Sequence, residues 1–400
     1  MKLITKLRVL FLGASLTAIT CLPALQAVSG AQNQANLPSE SKASPNALVI
    51  PAPSTRPADG QTPTLGPDQF PAGVNPLTGL PVDDPALLSL PPALISVANF
   101  PVSARPQAGL SFAPYVFEMF IGEGMTRFLA LFYGDFPQEP ISSTAQAGSP
   151  SDQAAIGPIR SGRLPYQDLR SLYNGFLVMA SASSEVQSQL PSVSNIFGSD
   201  NDDINSALIN VNKLQAIAQA NANGKVRNLT GNLYSDEVPA GGADANRLWV
   251  FYSFLNQVLW TYDPASQAYL RQQDQADGSG KFYPSSDRLT GEQLAFENVV
   301  VLFAKHKTLN SAKTLIDLDL HFTQDKAYLF RNGMVYPIFW TTSNGDYEKQ
   351  TGQFRPLRFV DADGNPFPLQ PGQTWIEIVD VTATLTEKEP GYWKARFYAP

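Results

Sequence analysis

The stretch Pro114 to Tyr133, PYVFEMFIGEGMTRFLALFY, decides how the chain is read. Two apolar runs, Pro114 to Phe120 and Thr126 to Tyr133, flank a break that carries glycine. Each run is apolar at alternate and sometimes successive positions, as in central strands. Gly122-Glu123 suits a two-residue hairpin turn with glycine first. That turn sets Glu118 opposite Arg127. Such a pair contributes at most about 1 kcal/mol when exposed and is obligatory when buried.

Around this hairpin, Leu94 to Ala98 reads as a short buried strand, and Ile156 to Arg160 and Phe176 to Ala180 as two more. Pro165 to Asn174 predicts a helix with proline in its first turn. Ser183 to Leu190 and Asn205 to Ala222 also read as helical. The latter places Leu208, Val211, Leu214, Ile217 and Ala218 at helical spacing. Gln138 to Gln153 is polar and reads as a loop. Strands alternating with helices predict an N-terminal α/β-type domain over residues 74–238. After Pro239-Ala240-Gly241-Gly242 the texture changes. Gln257 to Tyr262, Ala268 to Arg271, Asn298 to Ala304, Thr314 to Phe322, Ala327 to Arg331, Met334 to Trp340 and Thr374 to Val379 read as strands. Asp277-Gly278, Asn332-Gly333 and Asn344-Gly345 mark turns. Residues 239–400 are therefore a strand-rich C-terminal domain, and the fold class is α+β.

The chain has 400 residues, enough for two folded domains and tails. A hydrophobic share of 43% supplies sizeable cores. The formal net charge of −7 argues against a nucleic-acid partner. It also argues against electrostatic attraction of the whole chain to an anionic membrane. Cys21 is the single cysteine, which excludes internal disulfides and thiolate metal sites. With two histidines, His306 and His321, and no H-E-x-x-H pattern, neither a metal nor a cofactor is expected.

Lys2, Lys6 and Arg8 precede an uncharged, mostly apolar run from Val9 to Leu22. This is a signal-peptide pattern, too short for a comfortable transmembrane helix. Leu25-Gln26-Ala27 allows ordinary cleavage, giving a signal peptide over 1–27. Cys21 ends the apolar run, where a lipoprotein signal places its acylated cysteine, although Thr20 departs from the usual small residue. Residues 28–73, rich in Pro, Ala, Ser, Gln and Asn, read as a tether. The folded part is expected outside the cytoplasm, either lipid-anchored through Cys21 or secreted, with the membrane reached only through that anchor.

Several short motifs occur in order: Asn75-Pro76-Leu77-Thr78-Gly79-Leu80, Arg105-Pro106-Gln107-Ala108-Gly109-Leu110, the Glu118 to Phe128 hairpin and Ile156-Gly157-Pro158-Ile159-Arg160-Ser161-Gly162-Arg163. Glu297-Asn298-Val299-Val300-Val301, Arg331-Asn332-Gly333 and Pro371-Gly372-Gln373-Thr374-Trp375 follow. Together they resemble the YerB-like lipoprotein family, from Asn75 to about Val379. The resemblance implies an α/β-type domain followed by a strand-rich one and no established activity. The chain departs from the family at Met179-Ala180-Ser181-Ala182-Ser183, where relatives commonly carry a histidine and glycines.

The motifs gather one candidate site. Arg160-Ser161-Gly162-Arg163 precedes a helix start, whose free amides and dipole favour anions. Guanidinium groups pair bidentately with phosphate or carboxylate. Arg127 is expected to converge there, with Arg105, Gln107, Glu118 and Glu123 as further members. The competing reading is that the arginines bond carbonyls and Glu118 or Glu123 and fix the loop. Glu118 and Glu123 fit charge balance better than acid–base chemistry. Ser161 lacks a neighbouring base, and Asp200, Asp202 and Asp203 read as a solvated turn. His306 and His321 read as strand residues, and the five tryptophans as core or rim. The leading functional expectation is an envelope module binding a partner protein or an anionic wall component. The alternative is an enzyme acting on phosphate-linked wall precursors.

Overall fold

Ala93–Ala98 (β1), Tyr115–Gly122 (β2) and Met125–Phe132 (β3) form an antiparallel three-stranded unit with β3 in the middle. The hairpin is one residue away from the expected register. Its turn is Glu123-Gly124, with φ of +51° and +77°, the left-handed pair of a type I′ turn. Phe120 pairs with Thr126 but Gly122 with Met125, so Ile121 is bulged. Glu118 therefore faces Phe128, and Met119 faces Arg127. Side chains alternate along a strand, so the slip sends Glu118 and Arg127 to opposite faces. The expected Glu118–Arg127 pair does not form.

The computed structural model describes residues 64–137, 155–190, 194–196, 207–224 and 227–400. The signal segment with Cys21, the tether as far as residue 63, the loop expected over 138–153, and Asp200, Asp202 and Asp203 lie outside the described residues. The helices are short: Pro165–Leu172 (α1), Ser184–Gln187 (α2), Val211–Ala220 (α3) and Asp346–Thr351 (α4). Asn210 caps α3 by accepting from the amides of Asn212 and Lys213.

Two further strands, Phe176–Met179 (β4) and Ser194–Ile196 (β5), extend this unit in parallel beyond β1. Later come Ala243–Asp244 (β6), Arg247–Ser253 (β7), Asn256–Asp263 (β8), Ala268–Gln273 (β9), Tyr283–Pro284 (β10) and Ala295–Phe296 (β11). Asn298–Phe303 (β12), Gln324–Arg331 (β13), Met334–Thr341 (β14), Arg358–Val360 (β15), Thr374–Val379 (β16), Thr384–Glu389 (β17) and Tyr392–Arg396 (β18) follow. Among the described residues, eleven strands form one sheet in the order β6-β14-β13-β12-β16-β2-β3-β1-β4-β5, with β15 beside β14. β16 pairs in parallel with β12 on one side and β2 on the other. Strands from both sides of residue 239 thus share one sheet. A seven-stranded sheet, β10-β9-β8-β7-β18-β17 with β11 beside β9, is built wholly from the later residues. The chain is strand-rich with few helices.

Each face of the large sheet buries its own core. One face, with Val97, Val116, Phe128, Val299 and Trp375, packs against Leu248, Val250, Val258 and Trp260 of the small sheet and Val211, Leu214 and Ala218 of α3. Phe128, Phe296, Trp260 and Trp375 meet there with ring centroids 5.0 to 6.1 Å apart, a spacing at which edge-to-face pairs attract. The other face, with Phe117, Leu129, Val300 and Ile376, is covered by Tyr166, Leu169 and Tyr173 of α1 and its end and by loop residues. Burial on both faces explains why the central strands read as continuous apolar runs.

Candidate functional site

Residues 159–162 run alongside β1 and the end of β4. The Arg160 amide donates to the Ser96 carbonyl at 2.9 Å, and the Arg160 carbonyl accepts from the Ala180 amide at 3.0 Å. This places the Ser161 carbonyl at a crossing point. It accepts from Ser96 Oγ at 3.1 Å, Arg127 Nη1 at 3.2 Å and Arg163 Nη1 at 3.4 Å. Arg163 Nη1 also donates to the Gly162 carbonyl at 2.8 Å. A Cβ at Gly162 would sit 2.6 Å from Met179 Sδ, so any larger residue would have to push that side chain aside. Arg127 is buried, while Arg160 and Arg163 are half-buried. The turn leads into α1, whose first residue is Pro165 and whose start has no side-chain cap. Tyr166 lies below it, its hydroxyl 3.1 Å from Ser96 Oγ. Burial pushes that phenol up, against the pull of Arg127 and Arg163.

The Arg127 and Arg163 guanidiniums are therefore brought together at Ser161, with Arg160 adjacent in the chain. The other expected members lie elsewhere. Arg105 donates from Nε to the Asn99 carbonyl at 3.0 Å and from Nη1 to the Asp274 carbonyl at 2.6 Å. Burial, then the nearby Arg271, hold it down to about 10. Gln107 Nε2 donates to the Ala98 carbonyl at 2.9 Å. Glu123 is exposed at the hairpin turn. Glu118 is fully buried on the face opposite Arg127.

Glu118 belongs to a network that the sequence reading missed. Its carboxylate accepts from Thr126 Oγ1 at 2.6 Å, Arg271 Nη2 at 2.9 Å, Asn256 Nδ2 at 3.1 Å and Asn99 Nδ2 at 3.2 Å. Glu377 is its direct neighbour on β16, and it accepts from Trp260 Nε1 at 2.8 Å. Arg271 is stacked 4.7 Å from the Trp375 ring centroid. Glu118 bonds the Arg271 guanidinium and Glu377 lies within its field, with no water exposure, since Glu118, Glu377 and Arg271 are each 0% exposed. Burial, then the charge of Glu118, raise the Glu377 carboxyl to about 8. The hydrogen-bond geometry accommodates the same protonation. The Tyr252 hydroxyl faces Glu377 Oε2 at 3.0 Å, the Ile378 carbonyl at 3.2 Å and the Glu118 carbonyl at 3.4 Å. One O–H cannot satisfy three acceptors. A protonated Glu377 donates to the phenol oxygen and leaves the phenol proton for a carbonyl. The network ties the two sheets together and opens to no solute in this conformation. A lone acid within each apolar strand, Glu118 in β2 and Glu377 in β16, was the available sequence signal.

Of the two histidines, His306 begins a short strand, His306–Thr308. Its Nδ1 lies 2.9 Å from the Ala304 carbonyl, and its amide donates to Asp380 Oδ2 at 2.9 Å. His321 falls in a turn, with Nε2 3.3 Å from the Asp168 carbonyl. Trp260, Trp340 and Trp375 are core residues, whereas Trp249 and Trp393 are only half-buried.

Two family models match the chain. Residues 77–234 match the N-terminal domain, and residues 249–376 the C-terminal domain, of a protein of unknown function (DUF3048). "Putative lipoprotein YerB" of Bacillus subtilis (strain 168) is 27% identical over 336 residues, covering 79% of this chain and 89% of that one. The crystal structure of the YerB protein from Bacillus subtilis aligns with a TM-score of 0.57 at 26% identity, covering 76% of this chain and 96% of that one. The chain belongs to the YerB-like family, whose two domains carry no assigned function.

Proposed function

We propose that this chain is an extracytoplasmic binding module, tethered at its N-terminus, that holds an anionic envelope component at the Arg160–Arg163 turn. One observation carries the reading: two guanidinium groups, of Arg127 and Arg163, meet at the Ser161 carbonyl at the start of α1, with Arg160 next to it in the same turn. Half-buried guanidiniums are more weakly hydrated than ammonium groups and match phosphate geometry. We read residues 74–238 as an α/β-type layer that presents this turn, because α1 and α3 pack beside its strands. The export pattern and the lipoprotein name of the Bacillus relative support an anchor at Cys21. The enzymatic alternative needs a carboxylate beside the arginines, and Glu118 leaves the opposite face of the sheet.

Titration of the Arg160→Gln/Arg163→Gln variant with a soluble, phosphate-bearing wall precursor tests the reading. Loss of two charge-assisted contacts weakens binding at least about tenfold. Unchanged affinity removes the site. A Cys21→Ala variant tests the anchor, which predicts its release from the membrane fraction.

A further inference from the structure

The small sheet has one face in the core and one in water. Leu248, Val250 and Tyr252 of β7 point inward and are buried. Alternation then demands polar residues at the positions between them. Trp249 and Phe251 stand there instead, both half-buried. β7 pairs in parallel with β18, with Trp249 beside Lys394 and Phe251 beside Arg396. These four side chains therefore share the outer face. The Lys394 ammonium lies 3.3 Å from the Trp249 ring centroid, and the Arg396 guanidinium lies 5.7 Å from Phe251 and 5.4 Å from Tyr398. Phe254, at the tip of the β7–β8 hairpin, is 76% exposed and 5.4 Å from Phe251. Burial, then Arg396 and Lys388, hold the Lys394 ammonium below its ordinary value, so the charges acting on it are both positive. A chain of net charge −7 thus sets two cations, Lys394 and Arg396, among aromatic rings on one face, while Arg247 at its edge is offset by Glu389 at 3.6 Å.

We infer that this outer face docks on an anionic lipid bilayer. Aromatic rings with a polar or cationic neighbour settle at the headgroup level, and Lys and Arg there are attracted by anionic lipid. Charge complementarity calls for an anionic surface, and the exposed Phe254 tip calls for one with an apolar layer beneath it. The length of the chain ahead of the fold brings such a surface within reach. The 42 residues from 22 to 63 separate Cys21 from the first described residue. They span at most about 150 Å, against a radius of gyration of about 20 Å for a fold of this size. Any tether of that span holds the face at high effective concentration over the membrane. This inference uses the anchor but not the Arg160–Arg163 ligand, so the two stand or fall separately.

The experiment measures co-sedimentation with vesicles of zwitterionic lipid alone and of zwitterionic lipid mixed with phosphatidylglycerol. The described fold begins at residue 64, so the chain from residue 28 onward keeps all of it without acyl chain or apolar leader. Binding is expected to the mixed vesicles only, and to vanish near 1 M salt, where the Debye length is about 3 Å. Lys394→Gln/Arg396→Gln is expected to bind about thirtyfold more weakly, for two surface charges removed. Phe254→Ser is expected to bind about tenfold more weakly. Both alter exposed or half-exposed side chains, and circular dichroism verifies the fold. Lys349→Gln on α4 and Arg160→Gln/Arg163→Gln are expected to bind vesicles as the parent does. Absence of binding to the mixed vesicles overturns the inference. So does undiminished binding by the charge variant, or capture of soluble poly(glycerol phosphate) without capture of vesicles.

Discussion

Glu377 sets a pH dependence that runs opposite to ordinary acid denaturation. Its folded value of about 8 lies above the ordinary 4.5. Between those limits the folded state keeps a proton that the unfolded chain has released. The stability it contributes is complete below the ordinary value and is lost as pH rises through about 8. Glu377→Gln keeps an acceptor for Trp260 and a donor for Tyr252 without the titration. It is expected to raise stability at neutral pH by on the order of 3 kcal/mol and to flatten the profile, as measured by urea unfolding across that window. Glu348 works in a lower window. Burial raises its carboxyl, but Arg355, Arg358 and the Gly345 amide outweigh that and hold it down to about 2, so its stability is lost only on further acidification. Arg271 offers a second test. Arg271→Met leaves Glu118 buried without its cation and is expected to destabilise by roughly 3–5 kcal/mol. Adding Glu118→Gln should restore part of that loss, a coupling that separate mutations of unlinked sites would not show. The acids were visible in the sequence as single charges in apolar strands. Their partner was not, because Arg271 lies 153 residues from Glu118 and on another sheet. The same limit applied to Arg105, which answers to Asp274 rather than to Arg160.

Most central strands were legible as elements, and their pairing was not. Thr374–Val379 has the expected bounds, and Asn332-Gly333 closes β13 onto β14 with Arg331 facing Met334. The first hairpin failed by one residue because Gly122-Glu123-Gly124 offers two turns. The structure uses the one with left-handed residues at both central positions, which matches strand twist, and absorbs the difference in a bulge. Glu123 occupies a conformation that asparagine tolerates better. Glu123→Asn is therefore expected to stabilise by about 0.5 kcal/mol, seen as a higher urea midpoint at unchanged slope. Besides the short β5, β6, β10, β11 and β15, the strands missed outright are β7, β17 and β18, all in the small sheet. β17 reads Thr-Leu-Thr-Glu-Lys-Glu, mostly exposed, so no apolar alternation announces it. β7 hides its alternation because aromatic residues fill both faces. That same irregularity is what the docking face is made of.

At the scale of the whole molecule, the sequence suggests a border near residue 239, and the family models also change between 234 and 249. The hydrogen bonds cross that border. β16 inserts between β12 and β2, with partners from Tyr115↔Thr374 to Met119↔Ile378. The chain must close a loop of more than 200 residues to make that ladder, which no local pattern reveals. Physical independence of the two parts would require each to bury its own apolar face. Residues 74–238 alone cannot do so. β2 would present a bare edge, Phe128 would lose Trp375 from its surroundings, and Glu118 would lose Arg271. Expressed separately, this fragment is expected to show no cooperative unfolding transition and to bind hydrophobic dyes. The full chain is expected to unfold in a single step, with tryptophan fluorescence and circular dichroism giving coincident curves. Trp260 and Trp375 report from the seam itself, so an early fluorescence transition that disappears in a Trp260→Phe/Trp375→Phe variant would show that the seam opens before the rest. A stable, folded 74–238 fragment would mean that the shared sheet is a docking contact between two finished domains rather than the core of one.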